Sequence, residues 1–221
     1  MKLYGANILG ISKNIPTSPS LFKILNVGKK VNNKFFDIKD LKKLKRIINK
    51  FKPDYIFHLA AQSFPKSSFK EREITYNTNL IGTDRLLHSI KSSKIDPIIH
   101  ICSSSEIFGR VKKKDLPIKE NNSFHPASPY AISKIGTDLI AKFYYEAYKM
   151  KILTTRMFTH TGPRRGDYFA ESSFAKQIAH SQRQRELGRL SRCGFQGPHR
   201  FLLVLARAYA FTNSFPIRFE L

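Results

Sequence analysis

Short continuous apolar runs alternate along this chain with longer stretches in which apolar residues recur every three or four positions. ANILGI (6–11), YIFHL (55–59), IIHIC (98–102) and KILTTRMF (151–158) are runs of the first kind. Each is short enough for a strand and apolar enough to be covered on both faces, as parallel strands are. Between them, DLKKLKRIINKF (40–51) puts Leu41, Leu44, Ile47, Ile48 and Phe51 on one helical face, with Lys and Arg opposite. Residues 76–93 carry Leu80, Leu87 and Ile90 inward, and 128–149 reads as a long helix with Ser128 as its cap and Pro129 in its first turn. Strand and helix alternating at this spacing predict βαβ units with right-handed crossovers. The expected fold class is α/β, a doubly wound parallel sheet.

In such a sheet, ligands bind beyond the carboxyl ends of the strands. The residues there are small and polar: Ala60, Ala61, Gln62 and Ser63 after one strand, Ser103, Ser104, Ser105 and Glu106 after the next, and THTGPRRG (159–166) after the last. Three such loops in register predict a site. Composition narrows its kind. A hydrophobic content of 41% with 18 Phe in 221 residues excludes a disordered chain. Two Cys exclude a disulfide scaffold and a Cys-rich zinc module, so no metal site is expected. No apolar run nears the roughly 20 residues that span a bilayer, and the first residues lack a signal-peptide core, so no membrane partner and a cytoplasmic setting are expected. The net charge of +23 suggests a polyanion partner. The 25 Lys, however, are scattered through residues 2–176 and form no stripe. A solvated basic surface suited to a small anionic ligand is expected rather than nucleic-acid binding.

Tyr130 and Lys134 are four residues apart and share a helical face. An ammonium near a phenol favours the phenolate, which makes Tyr usable as a base near neutral pH. The spacing alone decides nothing, because nine Tyr and 25 Lys in 221 residues give about one chance match, and Tyr145 with Lys149 is a second match. Context separates the two. Tyr130 follows Ser128-Pro129 at a helix start, near the mouth of the sheet, and Glu106 directly follows a strand.

SSSEIFG (103–109) with SPYAISK (128–134) resembles the extended short-chain dehydrogenase/reductase family, whose members bind a nicotinamide dinucleotide on a Rossmann-like fold and often act on nucleotide sugars. HLAAQS (58–63), NTNLIGT (77–83) and FFDIKD (35–40) resemble further segments of that family, and the resemblance covers residues 6 to about 178. Within it, Ser-Ser-Glu and RMFTHTGPRRG (156–166) are more similar to GDP-mannose 4,6-dehydratases and to the neighbouring GDP-4-keto-6-deoxymannose reductases. The resemblance implies roles residue by residue. Tyr130 would deprotonate the sugar C4 hydroxyl, Lys134 would tune Tyr130 and hold the ribose, and Ser104 would hydrogen-bond the substrate oxygen. Glu106 would remove the C5 proton and assist loss of water from C6. Asp37, Ile38, Leu59, Ala60, Ala61, Asn79 and His160 would join Tyr130 and Lys134 around the cofactor, and Ser105, Arg164 and Arg165 would meet the substrate. Lys13 follows the first strand where no acidic residue stands, so NADP is expected over NAD. GDP-mannose is the expected substrate, and intact relatives are expected to be homo-oligomers.

Two features depart from the family pattern. Thr159 stands where Asn is usual, and no Gly-x-x-Gly-x-x-Gly loop, which would hold a pyrophosphate, occurs in the 221 residues. The chain is therefore expected to begin just before the second strand of the fold and to turn over little or no substrate. Its composition also changes late: no Lys follows residue 176, and seven of the 14 Arg follow residue 180. The expected organisation is a truncated dinucleotide-binding domain over 1–179 and an atypical extension over 180–221. The competing functions are the reductase, another NAD(P)-dependent sugar-nucleotide epimerase, and a non-enzymatic fragment or basic binding protein.

Overall fold

The computed structural model describes residues 5–15, 18, 20–162, 165–166 and 169–186. It divides into two compact units, Met1–Arg165 and Gly166–Leu221. The first holds β1 (Leu9–Ser12), α1 (Leu21–Ile24), α2 (Val27–Lys30), β2 (Asn32–Phe35), α3 (Leu41–Phe51) and β3 (Tyr55–His58). It continues through α4 (Pro65–Ser68), α5 (Arg72–Tyr76), a π-helical segment (Asn77–Ile81), α6 (Gly82–Ser92), β4 (Ile98–Cys102), α7 (Pro129–Tyr148) and β5 (Ile152–Thr155). In the second unit, the described residues contain α8 (Ala170–Glu186), which runs unbroken past residue 180. Residues 187–221 lie outside the described residues, and with them most of the expected extension. Among the described residues, no helix is long and apolar enough to cross a membrane.

Every strand pair is parallel, as the βαβ spacing requires. The strands form two sheets, β1-β2 and β3-β4-β5. β2 was not legible in the sequence. NNKF has no apolar period, because the strand is short, largely exposed and paired to β1 alone. The predicted helix over 76–93 is present but begins earlier and carries the π segment, which turns Asn79 into the interior. Gly82 follows it, where an added Cβ would lie 2.9 Å from Ile38 Cγ2.

The core forms on one face of the three-stranded sheet. Ile99 and Ile101 of β4 are fully buried against Leu44 and Ile48 of α3, Leu86, Leu87 and Ile90 of α6, and Ala141 and Tyr144 of α7. Burial of this many large side chains, about 1.5–3 kcal/mol each, is the main force on the fold. On the opposite face Tyr55, Phe57, Ile98 and Leu153 are exposed. They alternate with the buried residues as the period-two geometry of a strand demands.

Candidate active site

The site is built where β4 runs into its loop. The ladder to β5 continues past the strand: Ser103 N–H donates to Thr155 C=O at 2.8 Å, and Ser105 N–H to Met157 C=O at 2.9 Å. Ser104 is thereby fixed between two anchored residues. Its Oγ accepts from Glu106 N–H at 3.2 Å and caps a single 3₁₀ turn, Ser105–Ile107. Ser104 is buried and Glu106, two residues on, is exposed. Gly109 ends the loop with φ +56°, and a Cβ there would lie 1.7 Å from the His125 carbonyl oxygen, so both the backbone and the space require glycine.

α7 supplies the other half. Ser128 Oγ accepts from Ala131 N–H at 3.0 Å and Pro129 occupies the first turn, as the sequence predicts. The helix start brings buried Tyr130 close enough to Ser104 for the hydroxyl to favour the phenolate. Lys134, one turn on and also buried, donates from Nζ to Cys102 C=O at 2.7 Å and stands 5.9 Å from the Tyr130 ring centroid. The electrostatics differ from the expectation of a lowered phenol. Burial pushes Tyr130 above its ordinary value and outweighs the lowering influence of the Ser104 hydroxyl, with Cys102 and Glu106 adding to the rise. Burial likewise lowers Lys134, against the opposing influence of Cys102 and Asp138. The ammonium bonds a carbonyl, and desolvation dominates both groups.

The remaining predicted residues fall into three places. At the ends of β1 and β2, Asp37 pairs with Lys13 at 3.4 Å and Lys39 at 3.8 Å and accepts from Lys39 N–H at 2.9 Å. Its burial alone would raise it, but these partners hold the carboxyl below the usual range. The Ile38 side chain packs into the core, so its main chain is the part left to meet a ligand. After β3, Leu59 and Ala60 are exposed and Ala61 is half-buried. After β5, exposed His160 bonds Phe158 C=O through Nδ1, and Arg165 turns back to donate to the His160 carbonyl. Arg164 lies outside the described residues.

Asn79 is 1% exposed and its amide is fully committed: Oδ1 accepts from Gln62 N–H at 2.8 Å, and Nδ2 donates to Gln62 C=O at 3.0 Å and to Ser133 Oγ at 2.8 Å. Its place in the site is to hold the loop after β3. Sequence reasoning missed Ser68, Ser133 and the Cys102 carbonyl. Ser133 lies three residues after Tyr130, where its hydroxyl reaches the Tyr130 carbonyl at 2.7 Å, a local pattern that could have been read. Ser68 is 62 residues from its partner and left no local signal.

A dinucleotide's sugar and base can be matched to groups present here. Lys134 has three N–H donors and the Cys102 carbonyl takes one. Ser103 Oγ is buried without a hydrogen-bond partner at the same strand end. Asp37 offers an acceptor at the ends of β1 and β2. These fit ribose hydroxyls and an adenine amine.

A family model described as GDP-mannose 4,6 dehydratase matches residues 13–193. The chain is 36% identical over 161 residues to GDP-mannose 4,6 dehydratase 2 of Caenorhabditis elegans, covering 70% of this chain and 42% of that protein. It is 33% identical over 138 residues to a GDP-6-deoxy-D-mannose reductase of Pseudomonas aeruginosa, covering 62% of this chain and 45% of the other. The chain thus spans less than half the length of either relative. Among solved structures it is similar to RMD from Pseudomonas aeruginosa complexed with NADPH, with TM-score 0.66, 26% identity and coverage of 80% of this chain and 63% of that one. It is also similar to a UDP-glucose 4-epimerase of Thermotoga maritima, with TM-score 0.73, 25% identity and coverage of 81% and 57%. With four fifths of its length matched by one family model, and with the parallel strands and the Ser104, Tyr130 and Lys134 cluster in place, the chain belongs to the GDP-mannose 4,6-dehydratase family.

Proposed function

We propose that this chain carries the catalytic half-site of a nucleotide-sugar 4,6-dehydratase acting on GDP-mannose with NADP. The observation that carries the reading is the Tyr130 phenol, buried against Ser104 with Lys134 one turn behind it. Tyr130 takes the proton of the sugar C4 hydroxyl, and Ser104 holds that oxygen. Glu106, exposed at the loop tip, removes the proton from C5 once C4 is a ketone and passes it to the departing C6 hydroxyl. Lys134, Asp37 and the Leu59–Ala61 loop hold the dinucleotide, and Lys13 favours a 2′-phosphate. NADP, when bound, supplies the hydride acceptor and donor. Ser105, Arg164 and Arg165 meet the nucleotide of the substrate.

The reductase reading needs Tyr130 and Lys134 but gives Glu106 no task, so Glu106 decides between the two. The reading includes a homo-oligomer, supported by an exposed apolar row on α7 at Ile132, Leu139 and Phe143, and a cytoplasmic setting. The test measures 4-keto-6-deoxy product from GDP-mannose and NADP. It uses the chain itself and a chimera in which residues 13–186 replace the matching stretch of the C. elegans relative. The chimera is expected to form product and to lose it with Glu106→Gln, while keeping exchange chemistry at C4. A folded, cofactor-loaded chimera without product overturns the reading.

A further inference from the structure

Tyr130 is gripped at both ends of its own main chain, by one group 62 residues away and by one on the next turn of its own helix. Its N–H donates to Ser68 Oγ at 3.1 Å, and its C=O accepts from Ser133 Oγ at 2.7 Å. Ser133 Oγ in turn accepts from Asn79 Nδ2, and the Asn79 amide exchanges two hydrogen bonds with the Gln62 backbone. The Gln62 side chain bonds the Phe64 backbone in both directions, and Ser68 Oγ donates to Pro65 C=O at 2.6 Å. One segment, residues 62–68, therefore reaches Tyr130 from two sides.

Ser68 is fully buried, and its single hydroxyl proton goes to Pro65, so toward Tyr130 its oxygen acts as acceptor. The first N–H groups of a helix have no partner within it. In α7, Ser128 Oγ serves Ala131 and Ser128 C=O serves Ile132, while Pro129 has no N–H. The Tyr130 N–H is the remaining first-turn donor, and it is met from outside the helix. Alanine at 68 would leave it buried and unpaired.

We propose that Ser68 is a positioning residue: by accepting the Tyr130 N–H, it fixes where the phenol stands against Ser104. It thereby ties the base to the loop that also carries Leu59, Ala60 and Ala61. The role rests on the reading of Tyr130 as the base. It predicts that a change in the loop after β3 is felt at the phenol through Ser68, without moving Lys134 or its bond to Cys102.

The test is made on the chain itself, with tyrosines labelled at Cζ. The Tyr130 phenol is titrated by NMR, and exchange of the Tyr130 amide is followed in the same samples. In Ser68→Ala, the amide is expected to lose protection at least about tenfold. The phenol midpoint is expected to fall toward the ordinary tyrosine value by about half a pKa unit or more, because a loosened helix start admits water. A folded Ser68→Ala protein with an unmoved midpoint overturns the proposal, since a role in stability alone leaves the phenol where it was. If Ser68→Ala does not fold, Ser133→Ala releases the carbonyl side of Tyr130. The same downward shift is expected there, and its absence equally overturns the clamp. None of these readings needs turnover, so a chimera without product sinks the dehydratase assignment and leaves the clamp measurable. An unmoved phenol in a productive chimera sinks the clamp alone.

Discussion

Helix α7 contains the same four-residue spacing twice, and its two ends make different things of it. At the start, Tyr130 and Lys134 are 8% and 6% exposed; Lys134 is bound to the Cys102 carbonyl of β4 and the Tyr130 phenol lies by Ser104 of its loop. At the far end, Tyr145 is 57% exposed, and Lys149 has left the helix altogether: it is the C-cap residue, with φ 56° and ψ 29°. Its backbone N–H still donates to Tyr145 C=O at 3.0 Å, but the left-handed φ turns its side chain out of the row that Tyr145 occupies. Spacing puts two side chains on one face only while the helix continues. What gives the first pair its chemistry is desolvation, a loop hydroxyl and a carbonyl partner, all supplied by β4 and its loop.

The largest expected contrast is in turnover. In the chimera, Tyr130→Phe should lower 4-keto product formation about 10³-fold, within the range of a lost general base, while Tyr145→Phe should leave the rate within about twofold. Equal effects of the two would erase the comparison.

A second contrast is in acid stability. His58 lies beside the first motif, buried, with Nε2 2.8 Å from Thr83 Oγ1. Thr83 donates its own proton to Asn79 C=O at 2.6 Å, so His58 Nε2 carries the proton between them. Burial, aided by the charge of Lys134, lowers His58 from 6.5 to about 4. As pH falls below 6.5 the unfolded chain binds a proton that the folded chain refuses, so stability drops until about pH 4. At about 1.4 kcal/mol per unit, the loss reaches about 3 kcal/mol. Urea midpoints at pH 7 and pH 4.5 measure it, and His58→Gln should flatten the difference. A His58→Gln curve as steep as the parent's would place the acid sensitivity elsewhere.

The helix ends themselves give the smaller effects. Ser128→Ala removes the cap on Ala131 and should cost about 1 kcal/mol, read as a lowered thermal midpoint with α7 otherwise intact. Lys149→Gly should do the opposite, adding about 0.5–1 kcal/mol, because glycine enters the left-handed region without the side-chain penalty. A destabilised Lys149→Gly would mean that the lysine side chain has a role at the second site after all.

Much of this was legible in the sequence because it depends on neighbours along the chain. The apolar runs over 98–102 and 55–59, the helix over 128–149 with its Ser128-Pro129 start, and the Ser-Ser-Glu loop after a strand all follow from local periodicity and turn chemistry, and the structure has them. The parallel pairing follows from the spacing between runs. β2 was hidden, since three polar residues and a Phe become a strand only when β1 is there to pair with them. The direction of the Tyr130 shift was hidden too. The residues four apart suggest a lowered phenol, but burial is a property of the packed core, and it sends Lys134 to the Cys102 carbonyl instead. Ser68 shows the limit most sharply. Nothing near it in sequence marks it, and its meaning arises only when folding brings a hydroxyl from the loop after β3 to the first turn of a helix 62 residues away. The sequence alone determined which residues could do chemistry and on which elements they ride. Tertiary structure decided which of them are dry, which are held and by whom, because desolvation and hydrogen-bond geometry are set by contacts that local order does not encode.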